Sequence, residues 1–129
     1  MTGYLLDTNI ALLALALPER IAPDVRRKLE RGTIHLSVIS YWEVVLKSSK
    51  GKLSIGDPRA WWTEALAHLG AISLPFKADH VSEIASLAPI HQDPFDRALI
   101  AQATVEGLTL ATTDGEIGKY ASARFRVVL

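Results

Sequence analysis

Short, unbroken apolar runs alternate along the chain with longer stretches that carry apolar residues at helical spacing. The strand-length runs are YLLD at 4–7, IHLSV at 34–38, AISLP at 71–75, LTLATT at 108–113 and RFRVVL at 124–129. Between them the spacing predicts helices. One follows the first strand at 9–17 and is ended by Pro18. Another begins at Pro23, with Val25 and Leu29 four apart on one face. A third covers 38–50 and stops at Gly51. The segment 57–70 has an Asp57 cap, Pro58 in the first turn, apolar Trp61, Ala65, Leu66 and Leu69, and a Gly70 stop. A further helix at 76–89 is expected to turn Val81, Ile84 and Leu87 inward. The segment 93–107 repeats the Asp-Pro start and the Gly stop, and a short helical turn is expected over 115–121. Strands that alternate with helices and are apolar throughout imply a parallel sheet covered on both faces, an α/β fold.

That architecture gives certain acids a place. In open parallel sheets, ligands bind in the crevice beyond the carboxyl ends of the strands. The first strand runs into Asp7 and the fourth into Thr112, Thr113 and Asp114. Two more acids stand in apolar surroundings: Glu43 in SVISYWEVVLK, and Asp96 one turn into DPFDRALIAQA. Both lie at or near helix N-termini, which face the same edge when helices follow strands. Each has an ordinary structural role open to it. Asp7 can cap the helix behind it, Glu43 has Ser-x-x-Glu spacing from Ser40, Asp96 suits the helix dipole, and Asp114 precedes a turn glycine. Independent caps, however, have no reason to gather at one edge of a sheet.

Composition narrows the chemistry. The chain has 129 residues, 49% of them hydrophobic, which suits one domain over 1–129 with a real core. It has no cysteine, so a disulfide scaffold and a thiolate zinc site are excluded. The longest apolar stretch, 10–17, is far short of the ~20 residues that cross a bilayer, and it lacks the basic flank of a signal peptide. A soluble, cytoplasmic protein with no membrane partner is expected. The 14 basic and 14 acidic residues cancel, yet the layout is uneven. Arg20, Arg26, Arg27, Lys28, Arg31, Lys47, Lys50 and Lys52 fall in one stretch with three acids among them. That stretch reads as solvated helices or as a face for an anion.

Carboxylates crowded into one cleft repel, and at least one stays protonated unless a cation sits among them. Oxygen ligands without Cys or a spaced His pair favour Mg²⁺ or Mn²⁺ over zinc. Mg²⁺ shares its shell with carboxylates, waters and substrate phosphate, and stabilises charge on a phosphodiester under attack. Metal-assisted phosphodiester hydrolysis is the chemistry that fits.

LLDTNI, the SxxSYWEV helix, HQDPFDRALIAQA and LATTD resemble, in order and spacing, the PIN-domain ribonucleases, and most closely the VapC toxins of type II toxin–antitoxin pairs. The resemblance covers nearly the whole chain, and DPFDRALIAQA is its most specific piece. It implies a three-layer α/β/α domain around a parallel sheet of about five strands. It implies Mg²⁺- or Mn²⁺-dependent RNA cleavage that leaves a 5′-phosphate and a 3′-hydroxyl. The family's four acids fall on Asp7, Glu43, Asp96 and Asp114. It also implies a homodimer and a VapB-like antitoxin partner.

Within that frame Asp7 and Asp96 are expected as direct ligands, with Glu43 beside them, and Asp114 as acting through a water or at a second metal. Thr8 and Thr113 can orient waters or make strand-end hydrogen bonds. Asp93 is a helix cap before it is a ligand. Arg97 is read as a phosphate contact, as a charge that balances the acids, or as a surface ion pair, and His91 as a loop residue near the site. Lys47, Lys50, Lys52 and the 26–31 cluster are candidates for RNA backbone contacts. Trp42, Trp61 and Trp62 are candidates for stacking on bases or facing a partner, and at least one of the adjacent pair is expected at an interface. Two other readings remain. One is a PIN-like module that binds RNA or protein without cleaving. The other is a haloacid-dehalogenase-type phosphohydrolase, which wants an acid two residues after the first, where this chain has Asn9.

Overall fold

The computed structural model describes residues 2–89, 92–122 and 124–128. Five strands, β1 (Gly3–Leu6), β2 (Thr33–Ser37), β3 (Ala71–Leu74), β4 (Thr109–Ala111) and β5 (Arg126–Val128), form one sheet in the order β3-β2-β1-β4-β5. Every pairing is parallel, with Leu6 level with Leu36 on one side and Ala111 on the other. The chain winds outward from β1 to β3, then crosses back to β4. The order therefore reverses beside β1, the position where such sheets open a crevice at their carboxyl edge.

The helices are α1 (Thr8–Ala16), α2 (Pro23–Glu30), α3 (Val38–Ser49), α4 (Pro58–Leu69), α5 (Ala78–Ser86), α6 (Pro94–Glu106) and α7 (Gly115–Gly118), with one 3₁₀ turn at Pro18–Arg20. The two sides of β1 separate the core into halves. Tyr4 and Leu6 pack with Ile10, Ala11, Val25 and Ala65 of α1, α2 and α4. Leu5 packs with Leu99 and Ile100 of α6 and with Ile39, Leu110 and Ile117. The result is the expected three-layer α/β/α arrangement. Leu5 of β1 and Leu110 of β4 are entirely buried, which explains why these central strands carry no polar alternation.

Local sequence sets the element ends. Asp57 and Asp93 cap α4 and α6 ahead of Pro58 and Pro94. Gly70 and Gly107 close the same helices with φ of 60° and 68°, a left-handed conformation that costs a side-chain-bearing residue more. No helix among the described residues is long and apolar enough to cross a membrane.

Three expectations change on contact with the packing. On α5 the buried residue is His80, while Val81 is 53% exposed and Ile84 and Leu87 are half-buried. Val81 alone departs from the expected face: Ile84 and Leu87 pack against the core, and His80, held inside by polar partners, takes the buried position before them. The cap of α3 is Ser37, whose hydroxyl accepts from Ile39 N at 2.9 Å. Ser40 therefore lies inside the helix and makes no capping box with Glu43. Trp61 and Trp62 are both half-buried against the core, because Tyr41 of α3 stacks on each, with centroids at 6.3 and 4.6 Å. No interface is needed to account for either.

Candidate active site

The four acids singled out in the sequence line one shallow cavity of about 170 Å³ at the carboxyl edge of the sheet. They arrive from four elements. Asp7 is the first residue after β1 and Asp114 follows β4, while Glu43 projects from the second turn of α3 and Asp96 from the first turn of α6. Thr8, Asn9, Lys47, Asp93 and Thr113 complete the lining.

Asp7 is buried, at 5% exposure, and has two roles at once. Its Oδ1 accepts from Ile10 N at 2.7 Å, which caps α1. Its Oδ2 accepts the hydroxyl of Thr112, itself entirely buried. Burial pushes the Asp7 carboxyl above its ordinary value, the Thr112 and Ile10 hydrogen bonds pull it back, and the charges of Glu43 and Asp114 push it up again. Asp114 caps α7 through Glu116 N at 2.9 Å, and its own N–H donates to Thr112 Oγ1 at 3.0 Å. One threonine thus joins both strand-end acids. The sequence places Thr112 at the end of the fourth strand but assigns it no role; the signal available was its position directly after β4, two residues before the acid.

Glu43 sits 3.5 Å from Lys47 Nζ, one turn on along α3. Lys47 is therefore the cation inside the acidic pocket, and none of Arg26, Arg27, Lys28 or Arg31 lines it. Asp93 accepts from Phe95 N at 2.8 Å and Asp96 N at 3.2 Å, the cap role expected of it, and it lines the pocket as well. The first turn of α6 is fixed in this way, and Asp96 with it. Thr8 donates to Ser40 Oγ at 3.0 Å, and Thr113 accepts from Asn9 Nδ2 at 2.8 Å. Arg97 is directed elsewhere: it donates to the carbonyls of Ala88 (3.0 Å) and Ile84 (3.3 Å) and to the Tyr120 hydroxyl (3.3 Å), and does not line the pocket. His91 lies outside the described residues.

The donor set is oxygen only, apart from Lys47, and hard divalent cations prefer such donors. A carboxyl pushed up first by burial and further by its acidic neighbours is also the electrostatic state that a bound cation relieves. Among the described residues, no three acids or histidines stand close enough to serve as ready ligands of one ion. Asp7 is turned to Ile10 and Thr112, and Glu43 to Lys47. The chemistry of the pocket fits a hard cation, while its side chains are held in internal hydrogen bonds and ion pairs.

The model of the PIN domain family matches residues 4–123, and the chain belongs to that family. No curated protein matches it. Among solved structures, the fold is similar to that of VapBC2 from Rickettsia felis bound to a DNA fragment from its promoter, with a TM-score of 0.74 and 18% identity over 98% of both chains. It is similar to VapBC-1 from nontypeable Haemophilus influenzae, with a TM-score of 0.69 and 18% identity over 98% of this chain and 97% of that one. It is similar also to FitAcB from Neisseria gonorrhoeae, with a TM-score of 0.60 and 23% identity over 96% of this chain and 95% of that one.

Proposed function

We propose that the protein is an Mg²⁺- or Mn²⁺-dependent endoribonuclease and the toxin of a VapBC-type pair. The observation that carries this reading is the meeting of Asp7, Glu43, Asp96 and Asp114, from four separated chain segments, in one cavity at the sheet's switch point. These four residues would hold the ion, with Asp7 and Asp96 as its principal ligands. When bound, such an ion supplies the positive charge that makes a water a better nucleophile and stabilises a phosphodiester under attack.

The chain's own residues do the remaining work. Thr112 and Ile10 N hold the Asp7 carboxylate in one orientation. Asp93 fixes the turn that carries Asp96. Lys47 is placed to leave Glu43 for a substrate phosphate oxygen, so that an acidic pocket presents one cation to an anionic substrate. Two of the structures named above are VapBC complexes, which supports a VapB-like antitoxin as partner; a homodimer is proposed on the same family ground.

The test is cleavage of RNA in Mg²⁺ or Mn²⁺ against EDTA, with wild type, Asp7→Asn and Asp96→Asn purified in parallel. Cleavage is expected only with metal and only in wild type, with losses of at least roughly 10²-fold in each variant. Activity that survives both substitutions would assign it to a contaminant or to another site. Co-expression with a VapB-like antitoxin is expected to yield a stable complex that no longer cleaves.

A further inference from the structure

Lys47 lines the acidic pocket with five carboxyl groups, those of Asp7, Glu43, Asp93, Asp96 and Asp114, and its ammonium stands 3.5 Å from Glu43 Oε2. The two side chains leave α3 one turn apart, which keeps the ammonium within reach of that carboxylate. An ordinary helix pair of this spacing lies in water on both sides. Here the Glu43 side chain is only 15% exposed, and the other acids come to it from the ends of β1 and β4 and from the start of α6. Lys50 and Lys52, further along the chain, do not line the cavity.

A divalent ion and this ammonium make the same demand on Glu43. Each is a cation that needs its oxygens, and the two cannot share them closely. An ammonium has three donors and no acceptor, so it adds nothing to an ion's shell. An ion about 2.1 Å from the oxygen that faces Lys47 would lie within about 6 Å of the ammonium as it stands, which sets two like charges against each other in a half-shielded recess. Lys47 has a way out: it is 41% exposed and carried on a flexible four-carbon stem.

We propose that Lys47 is a resident counter-ion that a divalent cation displaces from Glu43, so that metal and ammonium exclude one another at that carboxylate. The inference rests on the metal site of the nuclease reading above and adds to it an order of events. With Lys47 in place, Glu43 is already partnered, and the metal binds less tightly than the acids alone would hold it. When the metal enters, the ammonium is set free at the mouth of the pocket, where a substrate phosphate arrives. Metal therefore comes first, and the lysine turns to the substrate afterwards.

The experiment titrates Mn²⁺ alone, without RNA, by calorimetry at neutral pH and about 0.15 M salt. It uses wild type, Lys47→Met, Lys47→Arg and Lys50→Met, each first shown to be folded by thermal melts in EDTA. Lys47→Met, which has similar length and no charge, is expected to bind Mn²⁺ roughly threefold to tenfold more tightly than wild type. Lys47→Arg keeps the charge but grips a carboxylate through two parallel N–H bonds, and is expected to bind Mn²⁺ roughly threefold more weakly. Lys50→Met removes an exposed charge at the end of the same helix and is expected to stay within about twofold of wild type. A Lys47→Met protein that binds Mn²⁺ no more tightly than wild type overturns the proposal; if wild type still cleaves RNA in Mn²⁺, the nuclease reading survives alone. Tighter binding by Lys47→Met with Lys47→Arg equal to wild type reduces the effect to the field of one charge and also overturns the exchange at Glu43. Failure of all four proteins to bind Mn²⁺ brings down the metal site and this inference together.

Discussion

Thr112 donates its hydroxyl hydrogen to the buried carboxylate of Asp7, a contact between residues that the chain separates by 105 positions. The same oxygen accepts from Asp114 N at 3.0 Å, so β1 and β4 deliver their acids to the pocket through one side chain. Thr112→Val keeps the shape and removes both bonds. It leaves a buried carboxylate short of a donor and a backbone N–H short of an acceptor, at a cost of about 1.5–3 kcal/mol. Thr112→Ser retains the hydroxyl and is predicted to stay within about 1 kcal/mol of wild type. Urea unfolding at neutral pH checks both, and a valine variant as stable as the serine one would show that the hydroxyl carries no weight.

Asp7 itself is predicted to cost folding stability at neutral pH in the absence of metal. Burial holds its carboxyl above the ordinary value, so the folded chain binds that proton more tightly than the unfolded chain does. The resulting stabilisation is full below the unfolded value near pH 4 and is lost as pH rises through the raised folded value. In EDTA, wild type should therefore lose stability on that rise relative to Asp7→Asn. The asparagine keeps an oxygen for Ile10 N and is predicted to be more stable at pH 7 by about 1 kcal/mol, a few degrees in Tm. Added Mn²⁺ should raise the Tm of wild type and leave Asp7→Asn nearly unmoved, since a ligand stabilises only the state that binds it. Thermal melts across pH, with and without Mn²⁺, decide the matter; equal melts at pH 7 in EDTA would contradict it.

The strands and the Asp-Pro and glycine ends of α4 and α6 were legible in the sequence, because each depends on a local pattern, whereas the switch of strand order beside β1 was not. The gathering of the four acids followed from topology plus position. What stayed hidden depended on partners from elsewhere in the chain. Tyr41 supplies a ring for both Trp61 and Trp62, which turns a supposed conflict of adjacent indoles into a stack. Arg97 finds carbonyls at the end of α5 and the Tyr120 hydroxyl, and these draw it away from the acids. Ser37 and Ser40 both suit a helix start, and only the observed backbone chooses between them. Apolar period also favoured Val81 over His80, since period does not register a histidine buried by hydrogen bonds.

Lys47 is predicted to matter little for folding and more for RNA. Its ion pair with Glu43 is an i, i+4 pair with the lysine 41% exposed, a geometry that contributes about 0.3–0.5 kcal/mol. Lys47→Ala should shift the urea midpoint barely. If the ammonium meets a phosphate, the same change weakens RNA binding and flattens the plot of log affinity against log salt by about 0.7 for a single strand. Binding titrations at several salt concentrations measure both quantities. An unchanged slope would remove Lys47 from the RNA contact.

His80 is predicted to be structural, despite being a wholly buried histidine paired with a carboxylate. Its Nδ1 accepts from Lys77 N at 3.0 Å, which leaves Nε2 to carry the hydrogen and donate to Glu106 at 2.8 Å. Gln102 extends the chain of contacts, donating to Pro75 O at 3.1 Å and accepting from the Ser37 hydroxyl at 2.5 Å. The network thus ties the start of α5 to α6 and to the cap of α3, and none of its members lines the acidic pocket. His80→Leu fills the space but strands the Lys77 N–H and removes the donor to Glu106, at a cost of about 2–4 kcal/mol for two lost bonds in a buried setting. Activity per folded molecule should be unchanged, because Asp7, Glu43, Asp96 and Asp114 keep their supports. Denaturation together with RNA cleavage normalised to the folded fraction tests this. A variant that folds as well as wild type but cleaves many times more slowly would move His80 from the scaffold into the chemistry.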